Sequence, residues 1–222
     1  PGFGNHKGTL GWTAHGELAA AVEENQAKLA PLMRDFMLYP VEQLAADPAA
    51  THLGKVLFED NCAACHQRSA KGNIAIGAPN LTDADWLYGG TGADITASIK
   101  DGRNGVMPPW ASLGEDTVHN LAQYVLSLSG QPHDAAKATA GEPAFATCAA
   151  CHGADGKGNP ALGAPNLTDE VWLHGGTLAD IEKTIHDGRQ GHMPAWSPRL
   201  SDQDIHVLAA YVYSLSHPVH AQ

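Results

Sequence analysis

The sequence is poor in aromatic and basic residues and has no apolar stretch long enough to span a bilayer. Its 222 residues include five Trp, five Tyr and four Phe, against 24 Gly and 14 Pro. Side chains of this kind make a thin interior for two compact units of roughly 80 residues each, because small domains bury a smaller share of their surface. Something other than protein is therefore expected to fill part of the core. Thirteen Lys and Arg stand against 24 Asp and Glu, a formal charge of −11. That balance argues against a nucleic-acid partner, whose phosphates need a basic surface. It suits a basic partner, or simply solubility. No run of about 18 or more apolar residues occurs, so no spanning helix is expected in this chain. The chain opens at Pro1 with neither an initiator Met nor a signal peptide, as a processed protein or one trimmed behind an anchor would.

What the sequence does contain is a repeat. CAACH occurs at Cys62 to His66 and again, 86 residues on, at Cys148 to His152. At the same offset GAPNLTD recurs at Gly77 and Gly163, GGT at Gly89 and Gly175, DGR at Asp101 and Asp187, and Met107 matches Met193. Beyond Trp110 and Trp196 the offset becomes 87, as Tyr124 against Tyr211 shows, so one residue is inserted in a connecting loop. Two homologous domains follow, at 50–130 and 138–222. Residues 131–137 form a linker in the stretch GQPHDAAKATA, and residues 1–49 form an N-terminal extension.

Both units carry helical patterns. Val118, Leu121, Ala122, Val125 and Leu128 recur at helical spacing, and Ile205, Leu208, Ala209, Val212 and Leu215 repeat the stripe. Thr91 with Asp94, and Thr177 with Asp180, have the spacing of N-terminal capping pairs. The Gly- and Pro-rich stretches between helices are expected to be loops, without strand alternation. The extension, with Leu18, Val22, Leu29, Leu32, Met33 and Phe36, is helical in composition. It is expected either to pack on a partner or between the domains, or to be a structural extension alone.

Two Cys-x-x-Cys-His pentapeptides admit zinc, dithiol or covalent haem readings. Zinc-ribbon pairs lie about 15–20 residues apart, whereas 82 residues separate Cys65 from Cys148, and each pair has its own His. A redox dithiol needs neither that His nor a distant Met. Covalent haem c fits best: two thiols one helical turn apart form thioethers to the haem vinyl groups, and the following His reaches the iron. Two covalently bound haems are thus expected, on Cys62 and Cys65 and on Cys148 and Cys151, with His66 and His152 as proximal ligands. Haem also supplies the missing apolar core. Met107 and Met193 lie 41 residues after His66 and His152 in the matching loops GVMPPW and GHMPAW, and are the candidate sixth ligands. Taken repeat by repeat, Met107 serves the His66 haem and Met193 the His152 haem. His192 is the closest alternative to Met193, but the first copy has Val106 in its place.

His/Met ligation raises the haem potential and leaves no open coordination position, which favours electron transfer over substrate chemistry. The carbonyls of Pro79 and Pro165, 13 residues after each proximal His, can accept the His Nδ1 proton; rigid loop prolines are the competing reading. Arg103 and Arg189 are candidates for the haem propionates, and Trp86, Trp172, Trp110 and Trp196 for the pocket walls. Surface charge and ordinary packing compete with both assignments. His119 and His206 match across the repeat but lack paired ligand spacing.

Tandem Cys-x-x-Cys-His units, each with a downstream Met-Pro, resemble class I cytochrome c domains. The implied fold is all-α, with two such domains in tandem behind a helical N-terminal extension. The opening PGFGNHKGTLGW (Pro1 to Trp12), with NLTDADWLYGG at Asn80 and NLTDEVWLHGG at Asn166, resembles the CcoP/FixP family, the di-haem subunits of cbb3-type cytochrome c oxidases. There the Pro-Gly-x-Gly stretch follows a membrane helix, so the resemblance implies a soluble portion without its anchor, on the periplasmic side of the bacterial inner membrane. It also implies an electron-transfer subunit with no enzymatic activity of its own. Electrons would come from a donor cytochrome c or a bc1 complex and pass to the mono-haem subunit, then to the haem-copper centre of the catalytic subunit. A free di-haem carrier like the c4 group is the alternative, and a di-haem peroxidase a more distant one.

Overall fold

A computed structural model describes residues 13–217; the opening stretch Pro1 to Trp12 lies outside the described residues. The chain divides into two compact units, one up to Pro40 and one from Val41 onward. Among its described residues the first contains one helix, α1 (Ala14–Phe36). The Thr13 hydroxyl starts it by accepting from Gly16 N at 3.0 Å, satisfying a backbone donor that the first turn leaves free. The expected apolar set falls on α1, with Leu18, Val22, Leu29 and Leu32 exposed.

The second unit contains α2 (Val41–Leu44), α3 (Pro48–Asn61), α4 (Ala63–His66), α5 (Gly92–Asp101), α6 (Glu115–Leu128), α7 (Ala135–Gly141), α8 (Ala149–His152), α9 (Leu178–Asp187) and α10 (Asp202–Ser216). Both expected capping boxes are present: Thr91 starts α5 with Asp94, and Thr177 starts α9 with Asp180. The protein is mostly helical, in keeping with two tandem cytochrome c domains. A departure from the expected absence of strands is a short antiparallel ribbon of β1 (Arg103–Met107) and β2 (Arg189–Met193), centred on Gly105 opposite Gly191. RNGVM and RQGHM carry no hydrophobic alternation, so pairing between distant segments creates these strands and their own composition does not signal them.

The helices do not pack repeat by repeat. The last helix of the second repeat, α10, packs on α3 and α5 of the first and on α2 just before it, while α6, the last helix of the first repeat, packs on α7 and α9 of the second. Other matched contacts follow the same crossing. Phe58 of α3 meets Tyr211 of α10 with ring centroids 5.5 Å apart, and Phe145 meets Tyr124 of α6 at 5.2 Å. A Cβ built on Gly54 would lie 2.3 Å from the Val207 carbonyl oxygen, and one on Gly141 would lie 2.1 Å from that of Asn120. Lys100 of α5 pairs with Asp202 of α10 at 2.7 Å, and His186 of α9 with Glu115 of α6 at 3.4 Å. The ribbon is where the two copies of the chain change sides.

Two cores result. One contains Val118, Leu121, Ala122, Val125 and Leu126 of α6 with Phe145, Ile181 and Ile185. On the other side Phe58, Ile95, Ile99, Ile205 and Leu208 are buried.

Candidate metal centres

Each Cys-x-x-Cys-His pentapeptide is one short helical turn. Cys65 N and His66 N both donate to the Cys62 carbonyl, at 3.1 and 2.9 Å, and Cys151 N and His152 N donate to that of Cys148 at the same distances. The turn sets the two sulfurs of each pair on adjacent levels of a helix and buries the following His. Burial, with a smaller contribution from Cys65, pushes the Cys62 thiol up to about 11; burial and then Cys151 raise Cys148 in the same way. Cys62 and Cys148 thus lack the depressed value that marks a reactive cysteine.

Both proximal histidines are fixed through Nδ1. His66 Nδ1 lies 3.0 Å from the Pro79 carbonyl and His152 Nδ1 lies 3.1 Å from that of Pro165. A carbonyl only accepts, so Nδ1 carries the proton and Nε2 keeps its lone pair for a metal. Burial lowers the His66 value, against the opposing effect of the Pro79 bond, and so favours the neutral, ligating ring. The loops returning to these prolines are matched too. Asn73 N bonds the Ala78 carbonyl at 2.8 Å and Asn159 N that of Ala164 at 2.9 Å.

The methionines stand at the ends of the ribbon strands. On β2, exposure alternates so that Met193 is half-buried and His192 is exposed, on the opposite side. His192 Nδ1 is 2.6 Å from Asn104 Oδ1, across the ribbon. This separates the two candidates in GHMPAW and favours the sulfur. Met107 does not lie in the half that holds its own repeat's pentapeptide. It packs on the cluster of α6, Phe145, Ile181 and Ile185, which also includes Cys148 and Ala149. The pairing expected repeat by repeat is therefore not the observed neighbourhood, because the chain crosses over at the ribbon before it reaches Met107.

Arg103 is held by Ser98 Oγ at 2.9 Å and stacks over Tyr88, 4.6 Å from the ring centroid. Arg189 is held by Thr184 Oγ1 at 2.9 and 2.6 Å. Among the described residues neither guanidinium forms an ion pair, although, after the Thr177 hydrogen bonds, Arg189 helps to hold the Asp180 carboxyl below its ordinary value. Trp172 packs against the core of α6, Phe145, Ile181 and Ile185. With the Gln131 amide oxygen turned toward it, its indole N–H donates across 3.0 Å. Trp86 Nε1 is buried and has no partner among the described residues. Trp110 N donates to the Ile185 carbonyl at 2.9 Å and Trp196 N to that of Ile99 at 3.1 Å, so each anchors a Met-Pro loop onto the opposite repeat.

Tyr88 and His174 were not singled out from sequence. The Tyr88 ring lies 2.2 Å from the position of a Cβ on Gly163, and His174 lies 2.8 Å from one on Gly77. Each ring thus covers the loop behind the other repeat's pentapeptide. The signal was available: a ring at matched positions in WLYGG and WLHGG.

The donor set fits covalent haem: two helical turns with paired thiols, two buried imidazoles oriented through Nδ1, two thioether sulfurs and two guanidiniums without an ion pair among the described residues. The fold and these duplicated sites define a c-type cytochrome of two haems. The family model described as cytochrome c oxidase, cbb3-type, subunit III matches residues 49–125 and 136–212. The chain is 50% identical over 218 residues to the cbb3-type cytochrome c oxidase subunit CcoP of Rubrivivax gelatinosus, covering 97% of this chain and 71% of that protein. It is 43% identical over 223 residues to the FixP subunit of Azorhizobium caulinodans, covering 94% and 75%. To CcoP of Cereibacter sphaeroides it is 37% identical over 229 residues, covering 96% and 78%. The chain belongs to this family and is a di-haem subunit of the CcoP/FixP type. No helix among the described residues is long and apolar enough to cross a membrane.

Proposed function

We propose that the chain relays electrons, one at a time, from a donor cytochrome c or bc1 complex toward the mono-haem subunit and oxygen-reducing centre of a cbb3-type oxidase, on the periplasmic side of the bacterial inner membrane. Bound haem supplies the reversible one-electron chemistry. Cys62 and Cys65, and Cys148 and Cys151, hold the two haems. His66 and His152 ligate through Nε2, while the Pro79 and Pro165 carbonyls fix their rings and raise their basicity. Met107 and Met193 provide the sixth ligands from a ribbon stiffened by Pro108 and Pro194, which limits rearrangement between oxidation states. Arg103 and Arg189 balance the propionates.

The observation that supports this reading is the duplicated arrangement of Nδ1-anchored histidine and half-buried methionine, which would supply each iron with two ligands and leave neither an open position. The acidic surface suits a basic donor. A redox titration of the purified chain, followed by optical and magnetic spectra, is expected to count two haems, resolve two potentials and give the near-infrared sulfur-to-iron band for both. An iron with an exchangeable site, or peroxide turnover by the isolated chain, would overturn the relay in favour of an enzyme. Co-purification with an oxidase core separates a bound subunit from a free carrier.

A further inference from the structure

We infer that the two haems exchange their methionines across the repeat: Met107 ligates the iron held by His152, and Met193 the iron held by His66. The inference rests on the His/Met reading above and adds which sulfur reaches which iron.

Three independent features carry it. The Met107 side chain packs in the core that contains Cys148, Ala149, Phe145, Ile181 and Ile185, so it shares a neighbourhood with the second pentapeptide. The loop after each methionine is docked on the opposite repeat by backbone bonds. Trp110 N reaches the Ile185 carbonyl at 2.9 Å; Trp196 N and Ser197 N reach those of Ile99 and Lys100 at 3.1 and 3.2 Å. These bonds join loop to helix end too closely to admit a side chain. A Cβ on Gly188 would stand 2.5 Å from the Met107 carbonyl oxygen, and one on Gly102 would stand 2.4 Å from that of Met193.

The ribbon register supplies the topology. Arg103 pairs with Met193 and Met107 with Arg189, so each methionine sits beside the first strand residue of the other repeat. A strand leaving α5 is thus carried to the α9 side by the time it delivers its sulfur, and the reverse holds for the strand leaving α9. The helices that follow, α6 and α10, complete the same crossing. Met107 bound to the His66 iron would require its loop to leave the Gly188 and Ile185 contacts.

The consequence is that each iron ties the two repeats together, with its thioether links on one and its sulfur ligand on the other. Loss of either methionine then acts on the haem of the opposite motif.

The test uses a chain in which Cys62→Ala and Cys65→Ala leave a single haem on the second motif. There Met107→Ala is expected to abolish the sulfur-to-iron band completely, and Met193→Ala to leave it unchanged. The reverse result overturns the inference. Because a chain missing one haem can fail to fold, proton NMR of the reduced di-haem protein gives a second readout. The ring-current-shifted Met107 methyl is expected to show cross-peaks to the haem whose thioether protons connect to Cys148 and Cys151. Cross-peaks to the Cys62 and Cys65 haem overturn the exchange while leaving His/Met ligation intact. Absence of the band from both haems in the unmodified protein overturns ligation itself, and the exchange with it.

Discussion

Gly54 and Gly141 occupy matched places where two helices cross backbone against backbone. Their missing Cβ atoms would otherwise fall 2.3 and 2.1 Å from the carbonyl oxygens of Val207 and Asn120. Neither backbone can step aside without moving the aromatic pair beside it, Phe58 with Tyr211 or Tyr124 with Phe145. Gly54→Ala is expected to destabilise the protein by about 1–3 kcal/mol, the cost of overpacking a close-packed contact, and Gly141→Ala by a similar amount. Thermal unfolding of the haem-loaded protein measures this, and an unchanged midpoint for both would contradict the close approach. The candidate ligands were legible as a pattern: Cys, His and Met recur at a fixed offset in the two repeats. Gly54 and Gly141 carry no such signal. A glycine inside a helical pattern shows its purpose only when the opposing backbone is known.

At the scale of elements, each junction that closes a half has its own electrostatics. Lys100 of α5 meets Asp202 of α10, and the bond with its opposite charge raises the Lys100 value. At the matched junction His186 of α9 bonds Asp187 and faces Glu115 of α6. The Asp187 bond chiefly, with Glu115, lifts His186 above its ordinary 6.5. His186 and then Lys183 hold Asp187 down at about 2. A raised His value means that its contribution is complete below the ordinary pKa and disappears as pH climbs through the raised one. The wild-type protein is therefore expected to lose a small increment of stability on passing above neutral pH. His186→Gln, which cannot titrate, lacks that step. Unfolding midpoints of the two proteins from about pH 5 to 9 give the comparison, and parallel curves would refute it. Lysine at the first junction stays charged throughout this range. The helices themselves were legible, because their apolar stripes and capping pairs are local. Their partners were not: the stripes of α6 and α10 are near copies, so the pattern alone does not say which half each helix joins.

Across the whole molecule, the repeat boundary in sequence and the packing boundary in space differ, and the linker between α6 and α7 shows why this matters. A chain of two independent domains falls into two bodies when its linker is cut. Here residues on both sides of the linker build each half. The first takes α2, α3 and α5 from before the cut and α10 from after it; the second takes α6 from before and α7 and α9 from after. The ribbon adds a third tie, pairing Arg103–Met107 with Arg189–Met193 across the same break. A protease site placed at Pro132 and His133, where no regular element is interrupted, is expected to give two polypeptides that co-elute as one particle of unchanged size. They should retain both haem spectra and separate only in denaturant. The loss of apolar contact between α3 and α10, and between α6 and α7, opposes their separation under native conditions. Two smaller particles, each with one complete haem spectrum, would instead mean that each repeat closes on itself, and would refute the crossed packing.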